Sequence, residues 1–327
     1  MPGISGSRRR ACLRVLVLCL LSWLAPRVAL AQSCVFTASN IAFGNVSTLN
    51  GGPTDAVGTI NANCTGYSTP YVRLCMSLGK PVGDAWTQKY LPGPSGQQIA
   101  YNIFSDPTHQ TLWGSYYSSG NPPLVSVDLP VTGGNASTSL TMYGRVSGGQ
   151  TNLPAGSYSR VFATSDTMFV YVGYTGTPPN CMATNSPVFT AGFTVTASVI
   201  ADCNIVAQPL NFPAAGVLNQ PVRANTTLQV TCVSGAPYTV ALDAGTTPGG
   251  TVALRKLTTA DGKTVNYQLY RDAAWTQLWG DGTLGTSTGA GTGNGTPQTL
   301  TVYGQVPAQT SQPAGTYTDT VTATVGF

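Results

Sequence analysis

Phe193-Thr194-Val195-Thr196-Ala197-Ser198-Val199-Ile200-Ala201-Asp202-Cys203 alternates apolar and small polar side chains and then meets a cysteine. A period of two marks a strand with one buried face. The stretch lies between two halves of the chain that resemble each other. It therefore ends the first half, begins the second, or ties the two together.

The likeness of the halves is carried by short elements in a fixed order. The first half runs Cys34, Phe43-Gly44-Asn45, Cys64, Tyr101-Asn102-Ile103, Leu112-Trp113-Gly114, Leu140-Thr141-Met142-Tyr143-Gly144 and Pro154-Ala155-Gly156-Ser157-Tyr158. The second runs Cys203, Leu210-Asn211-Phe212, Cys232, Tyr267-Gln268-Leu269, Leu278-Trp279-Gly280, Leu300-Thr301-Val302-Tyr303-Gly304 and Pro313-Ala314-Gly315-Thr316-Tyr317. Tyr101 and Trp113 lie as far from Tyr267 and Trp279 as each other, so the register holds across the middle of each copy. Such repetition means two domains of one fold, each of ordinary single-domain size.

Within each copy the expected strands are short and bounded by Gly and Pro turns: Tyr71–Leu74, Leu140–Val146, Thr227–Val233, Tyr238–Leu242, Val265–Tyr270 and Thr316–Val325. Thr and Val suit a pleated surface, while Gly, Pro and Asn interrupt it. Sustained helical periodicity is missing after the leader. The pattern predicts an all-β chain of two tandem antiparallel β-sandwiches.

The leader is residues 1–31. Arg8, Arg9 and Arg10 form a positive start, Val15 to Leu24 an apolar run, and Ala29-Leu30-Ala31 a cleavage site, which together read as a secretory signal peptide. The run is too short for a membrane span. The leader holds five of the 15 basic residues, so ten remain against 11 acids and the exported part is close to neutral. That balance offers no basic patch for nucleic acid. All the acids are Asp, and charged residues are only 8% of the chain, well under the usual quarter.

Export also bears on the cysteines. Six follow the leader: Cys34, Cys64, Cys75, Cys181, Cys203 and Cys232. An even number in an exported chain reads as disulfides. Cys34–Cys64 and Cys203–Cys232 occupy equivalent places and are the natural pairs. Cys75 and Cys181 lack counterparts in the second copy, and by elimination they pair. No Cys-x-x-Cys is present and His109 is the single histidine, so neither a zinc site nor any other cofactor is expected.

The early Cys pairs, Tyr267-Gln268-Leu269-Tyr270 with Leu278-Trp279-Gly280-Asp281-Gly282, the two L-T-x-Y-G elements and P-A-G-[ST]-Y before the last strand together resemble the spore coat U domain family. Its members include the pilins of archaic, Csu-type chaperone–usher pili, and two-domain members look like their tip adhesins. The resemblance covers the chain after the leader twice over. It implies immunoglobulin-like pilin domains that lack a final strand. A periplasmic chaperone fills the gap first, and a strand from an adjacent pilin subunit replaces it at the outer-membrane usher. This is β-strand addition, in which backbone bonds supply affinity and alternate side chains fill pockets.

Placed in that scheme, Gln32 and Ser33 are too short to donate a strand, which needs roughly five residues or more. Phe193, Val195, Ala197 and Val199 have the donor pattern and are expected to complete the first domain from within the chain. The second domain, with nothing after Val325-Gly326-Phe327, is expected to lack its last strand and to accept one. The expected domains are residues 32–199, an adhesin domain, and 200–327, a pilin domain. The expected function is that of a pilus-tip adhesin that attaches cells to a host or abiotic surface and supports biofilm. The alternatives are an ordinary resident strand with both domains closed, a self-associating coat or matrix protein, or a secreted carbohydrate-binding module.

Enzymatic chemistry is not expected. His109 reads as a solvated loop residue rather than a general base, and Asp106 and Asp272 as turn formers. Two candidate adhesive loops stand out: Tyr116-Tyr117 with Pro122-Pro123-Leu124, and Met168 to Tyr174, which includes Phe169 and Tyr171. Aromatic and proline residues in rigid loops present apolar area at low entropic cost. Alternation through residues 169–173 fits a buried strand equally well.

Overall fold

A computed structural model describes residues 31–49, 51–119, 122–183 and 188–327. The leader reading falls on residues 1–31, and all of it but Ala31 lies outside the described residues. The first half contains β1 (Ser33–Ala38), β2 (Ile41–Val46), β3 (Thr54–Thr65), β4 (Tyr71–Leu78), β5 (Lys89–Pro92), β6 (Gln98–Phe104), β7 (Val125–Pro130), β8 (Ala136–Val146), β9 (Gly156–Phe162), β10 (Thr167–Tyr174), β11 (Val188–Phe189) and β12 (Phe193–Val199). The second contains β13 (Cys203–Ala207), β14 (Val222–Cys232), β15 (Pro237–Leu242), β16 (Arg255–Thr258), β17 (Thr264–Tyr270), β18 (Gly289–Thr292), β19 (Gln298–Val306) and β20 (Ala323–Gly326). The only helical segments among the described residues are single 3-10 turns.

The chain is all-β, and its halves share one plan. In the first, the sheet β1-β3-β8-β6-β5 packs on β11-β10-β4-β7; in the second, β13-β14-β19-β17-β16 packs on β18-β15-β20. An indole crosses each core between the layers. Trp113 donates from Nε1 to the Met76 carbonyl at 3.0 Å, and Trp279 to the Val240 carbonyl at 2.9 Å. A buried indole N–H needs such a partner, which explains why Leu-Trp-Gly recurs.

The other repeated motifs have equally local causes. Gly144 and Gly304 close the L-T-x-Y-G elements because a Cβ there would run into Phe43 and Ile41 in one copy and into Phe212 and Leu210 in the other. Ile41 and Phe43 therefore match Leu210 and Phe212. This shifts by two residues the alignment that sets Phe43 against Leu210. In P-A-G-[ST]-Y, the Tyr158 hydroxyl donates to the Pro154 carbonyl at 2.8 Å and Tyr317 to Pro313 at 2.7 Å, a corner seen in other β-sandwiches.

One sheet has no counterpart. In the first half, β2, β12 and β9 form a third sheet with β12 in the middle. In the second half the matching segments, around residues 208–212 and 315–321, join no ladder. The continuous strand expected over Thr316–Val325 is thus cut down to β20. Residues 316–321 hold one isolated bridge, Thr318 with Thr258, because the strand that would pair with them is missing from this domain.

Candidate functional site

Where β12 is present, it closes the first sandwich. It runs parallel to β2, with Val195 opposite Ile41 and Val199 opposite Val46, and antiparallel to β9 over all seven of its residues, from Phe193–Phe162 to Val199–Gly156. Phe193, Val195, Ala197 and Val199 are buried, and Thr194, Thr196 and Ser198 are half-exposed. The Phe193 ring stacks on Phe162 with centroids 4.5 Å apart and planes 8° from parallel. Burying each Val or Phe side chain contributes about 1.5–3 kcal/mol.

The same place in the second domain is an open groove of about 470 Å³. Leu210 and Phe212 form one rim and Asp319, Val321 and Ala323 the other; Leu228, Leu242, Leu269 and Val302 lie between. Ile41, Phe43, Tyr158 and Phe162 are buried on the two strands that flank β12. Their equivalents Leu210, Phe212, Tyr317 and Val321 are only half-buried and pack at the edge of the second core. An apolar cleft flanked by unpaired backbone is a template for strand pairing.

Both domains bury charged groups. In the first domain Lys89 is 1% exposed and Asp84 is buried, and Arg160 donates to Asp84 Oδ1 at 3.0 Å and to the Tyr90 carbonyl at 2.9 Å. Burial pushes the Lys89 ammonium down to about 8, against the opposing pull of Asp84. In the second domain Arg255 stands where Lys89 does, each opposite the repeated tyrosine. It donates to the carbonyls of Asp243, Leu242 and Trp279 at 2.7–3.1 Å. Arg160 and Asp319 hold the same position, two residues after the corner tyrosine, with opposite charge. Asp319 accepts from the Tyr267 hydroxyl at 2.8 Å. Burial and this carboxylate push the Tyr267 phenol well above its ordinary range. Sequence reading passed over these charges, although aligning Pro-Ala-Gly-Ser-Tyr-Ser-Arg with Pro-Ala-Gly-Thr-Tyr-Thr-Asp exposes the swap.

Disulfides join Cys34–Cys64, Cys75–Cys181 and Cys203–Cys232. The first and third link directly opposed residues of β1–β3 and β13–β14. The second ties β4 to the turn Cys181–Ala183 over a small outer cluster of Val170, Leu124 and Met168.

Met168 to Tyr174 is a correction: it is strand β10, not a loop. Phe169 and Tyr171 point into the core against Phe36, since alternation paired with β4 turns them inward. Tyr174 stacks on Tyr71 at the strand's end. The other candidate is a 3-10 turn, Tyr116–Ser118, whose Tyr117 is 65% exposed. The Tyr116 hydroxyl donates to the Met182 carbonyl at 3.1 Å. Pro122 is buried, Pro123 exposed and Leu124 half-buried.

His109 is a second correction. Its side chain is only 8% exposed, set edge-on to Phe104 and Tyr143 with Nε2 3.7 Å from Asp55. Trp275 fills the matching place between Tyr270 and Tyr303. Both residues have positive φ, 57° and 64°, held by loops whose backbone N–H groups donate to Asp106 and Asp272. Among the described residues, no group of three or more His, Cys, Asp or Glu could hold a metal ion.

The sequence profile of the Spore Coat Protein U domain matches residues 22–164 and again 189–324. The second match takes in β12, which in the fold belongs to the first sandwich. A chain in the crystal structure of the CsuC–CsuE chaperone–tip adhesion subunit pre-assembly complex, from the archaic chaperone-usher Csu pili of Acinetobacter baumannii, shares the fold. The TM-score is 0.51 at 19% identity, over 90% of this chain and 100% of that one. The CupB6 tip adhesin from Pseudomonas aeruginosa aligns with a TM-score of 0.37 at 10% identity, over 91% and 94%. No curated protein matches the chain.

Proposed function

The chain belongs to the Spore Coat Protein U domain family, and on that premise we propose that it is a two-domain tip adhesin of an archaic chaperone–usher pilus. Its first domain, residues 32–199, contacts a host or abiotic surface and supports biofilm. Its second, residues 200–327, receives a strand from an adjacent pilin. The observation that carries this reading is the contrast between the two grooves. One holds Phe193, Val195, Ala197 and Val199 as a donor strand supplied in the same chain; its twin stands open, with an apolar floor and rims that join no ladder.

Strand addition accounts for the partners. An exposed apolar groove is an aggregation hazard, so a periplasmic chaperone covers it during transit, and an outer-membrane usher exchanges chaperone for pilin at the cell surface. The Csu complex, a tip adhesion subunit bound to its chaperone before assembly, is the precedent on which this assignment draws. Surface contact is assigned to the exposed apolar area of Tyr117, Met182 and Val188 on the first domain.

A synthetic peptide spanning residues 192–201 tests the reading on the whole exported chain. At a hundredfold excess over its dissociation constant it is expected to stabilise the second domain by about 2.7 kcal/mol and to leave the first unchanged. A second domain indifferent to the peptide, and already unfolding cooperatively at high temperature, would refute the open-groove reading.

A further inference from the structure

In the filled groove, residues 156–162 are held by a full ladder with β12. In the open one, residues 315–321 have no such ladder. Besides the reciprocal backbone bonds of Thr318 with Thr258, both 2.9 Å, and one backbone bond to the Thr320 carbonyl, this rim is held by the Asp319 side chain. Its Oδ1 accepts from the backbone N–H groups of Thr246 and Thr247, both at 3.0 Å, and from their hydroxyls at 3.3 and 3.0 Å. Its Oδ2 accepts from Tyr267. The loop that supplies these donors is shaped to the carboxylate: Gly245 has φ +80°, and a Cβ there would collide with the Asp319 side chain. Thr246 N–H also donates to the Thr320 carbonyl at 3.0 Å, and the next residues are tied through Thr322 to Asp243.

We infer that Asp319 is a positioning residue that keeps the rim of the empty groove in strand-ready register before a strand arrives. This rests on the strand-acceptor reading of the groove. The swap at this position supports it: the first domain, whose rim is secured by β12, has Arg160 there and no carboxylate clasp. An entering strand brings its own ladder, so the clasp matters for entry and little afterwards. An apparent affinity falls by the fraction of molecules in the competent state, and the loss here belongs to the association rate.

The test uses the whole exported chain as wild type, Asp319→Ala and Asp319→Asn, with the 192–201 peptide as probe. Association and dissociation rates are measured by surface-immobilised binding, and amide exchange of residues 315–322 in the free protein by mass spectrometry. Asp319→Ala is expected to slow association about tenfold, leave dissociation unchanged, and speed exchange in 315–322 while β14 and β19 stay protected. Asn, which keeps the acceptor for the two backbone N–H groups, is expected to recover most of the rate. Thr247→Val, which removes one hydroxyl donor, gives a milder slowing should the Ala variant lose its fold. Unchanged exchange in 315–322, or a variant that dissociates faster while associating normally, overturns the inference. A wild-type chain that ignores the peptide but shows the exchange difference overturns the groove reading and leaves the clasp standing.

Discussion

Replacing Phe193 with Ala removes the largest side chain that β12 places in the first core. The ring is 4% exposed and lies flat on Phe162. Truncating a buried Phe to Ala costs about 3–5 kcal/mol, cavity included. Of this, about 0.5–1.5 kcal/mol belongs to the ring pair and is recoverable as a coupling in the cycle with Phe162→Ala. In a domain of this size each kcal/mol moves the midpoint by about 2–4 °C, so the first-domain transition should fall by about 6–20 °C. Denaturation followed by amide exchange separates the domains, with β8 reporting on the first and β19 on the second. The second-domain transition should not move, because β12 makes no ladder with it. A loss below about 1 kcal/mol in the first domain, or an equal loss in both, would mean that the alternating stretch does not close the first sandwich, and the comparison of grooves would lose its reference.

Two further outcomes follow from the first domain. The double substitution Cys75→Ala with Cys181→Ala opens a link spanning 106 residues and should cost that domain about 2–5 kcal/mol in denaturant unfolding; a change too small to measure would make the bridge a bystander. Lys89 titrates near 8 in the fold and near 10.4 when unfolded. Between these values the unfolded chain binds more protons, so first-domain stability should rise from pH 8 to pH 10 by about 2–3 kcal/mol. Above pH 10 the buried Tyr101, whose phenol burial pushes up, reverses the trend. Lys89→Met should flatten the rise, and a wild-type curve that falls across this window would contradict the assignment.

The fold was largely legible because its signals are periodic. Alternation over 193–199 matches β12, and the repeated Trp, Tyr and Gly motifs mark positions where an indole, a corner hydroxyl or a close approach is needed in both domains. Alternation failed where it had to separate an inward strand from an exposed loop: Met168 to Tyr174 alternate because they lie in β10. It failed again over Thr316–Val325, whose pattern is that of a strand but whose pairing depends on a partner absent from the domain. His109 looked solvated from its Asp106-Pro107-Thr108 setting, but positive φ tucks the ring between Phe104 and Tyr143. The clasp on Asp319 was illegible for another reason. Its donors, Thr246 and Thr247, are more than seventy residues away in sequence, and nothing local distinguishes that carboxylate from one in a turn.

On the reading proposed above, the two grooves differ less in what they bind than in how the strand reaches them. A strand tethered to its own domain meets its groove at an effective concentration of order millimolar. The first sandwich is then closed at any protein concentration, and its rim needs no carboxylate to hold it. On the reading proposed above, the second groove waits for a strand from another molecule, so its occupancy follows concentration and affinity. A rim left to wander would lower that affinity by the fraction of time spent out of register. The opposite charges at the shared position fit this division. Arg160 ties an already laddered strand to Asp84 and the Tyr90 carbonyl, whereas Asp319 gathers backbone donors around a segment that joins no ladder. On that reading the same fold meets two requirements: permanence in one copy, from the tethered β12, and readiness in the other, from Asp319 and the loop built to receive it.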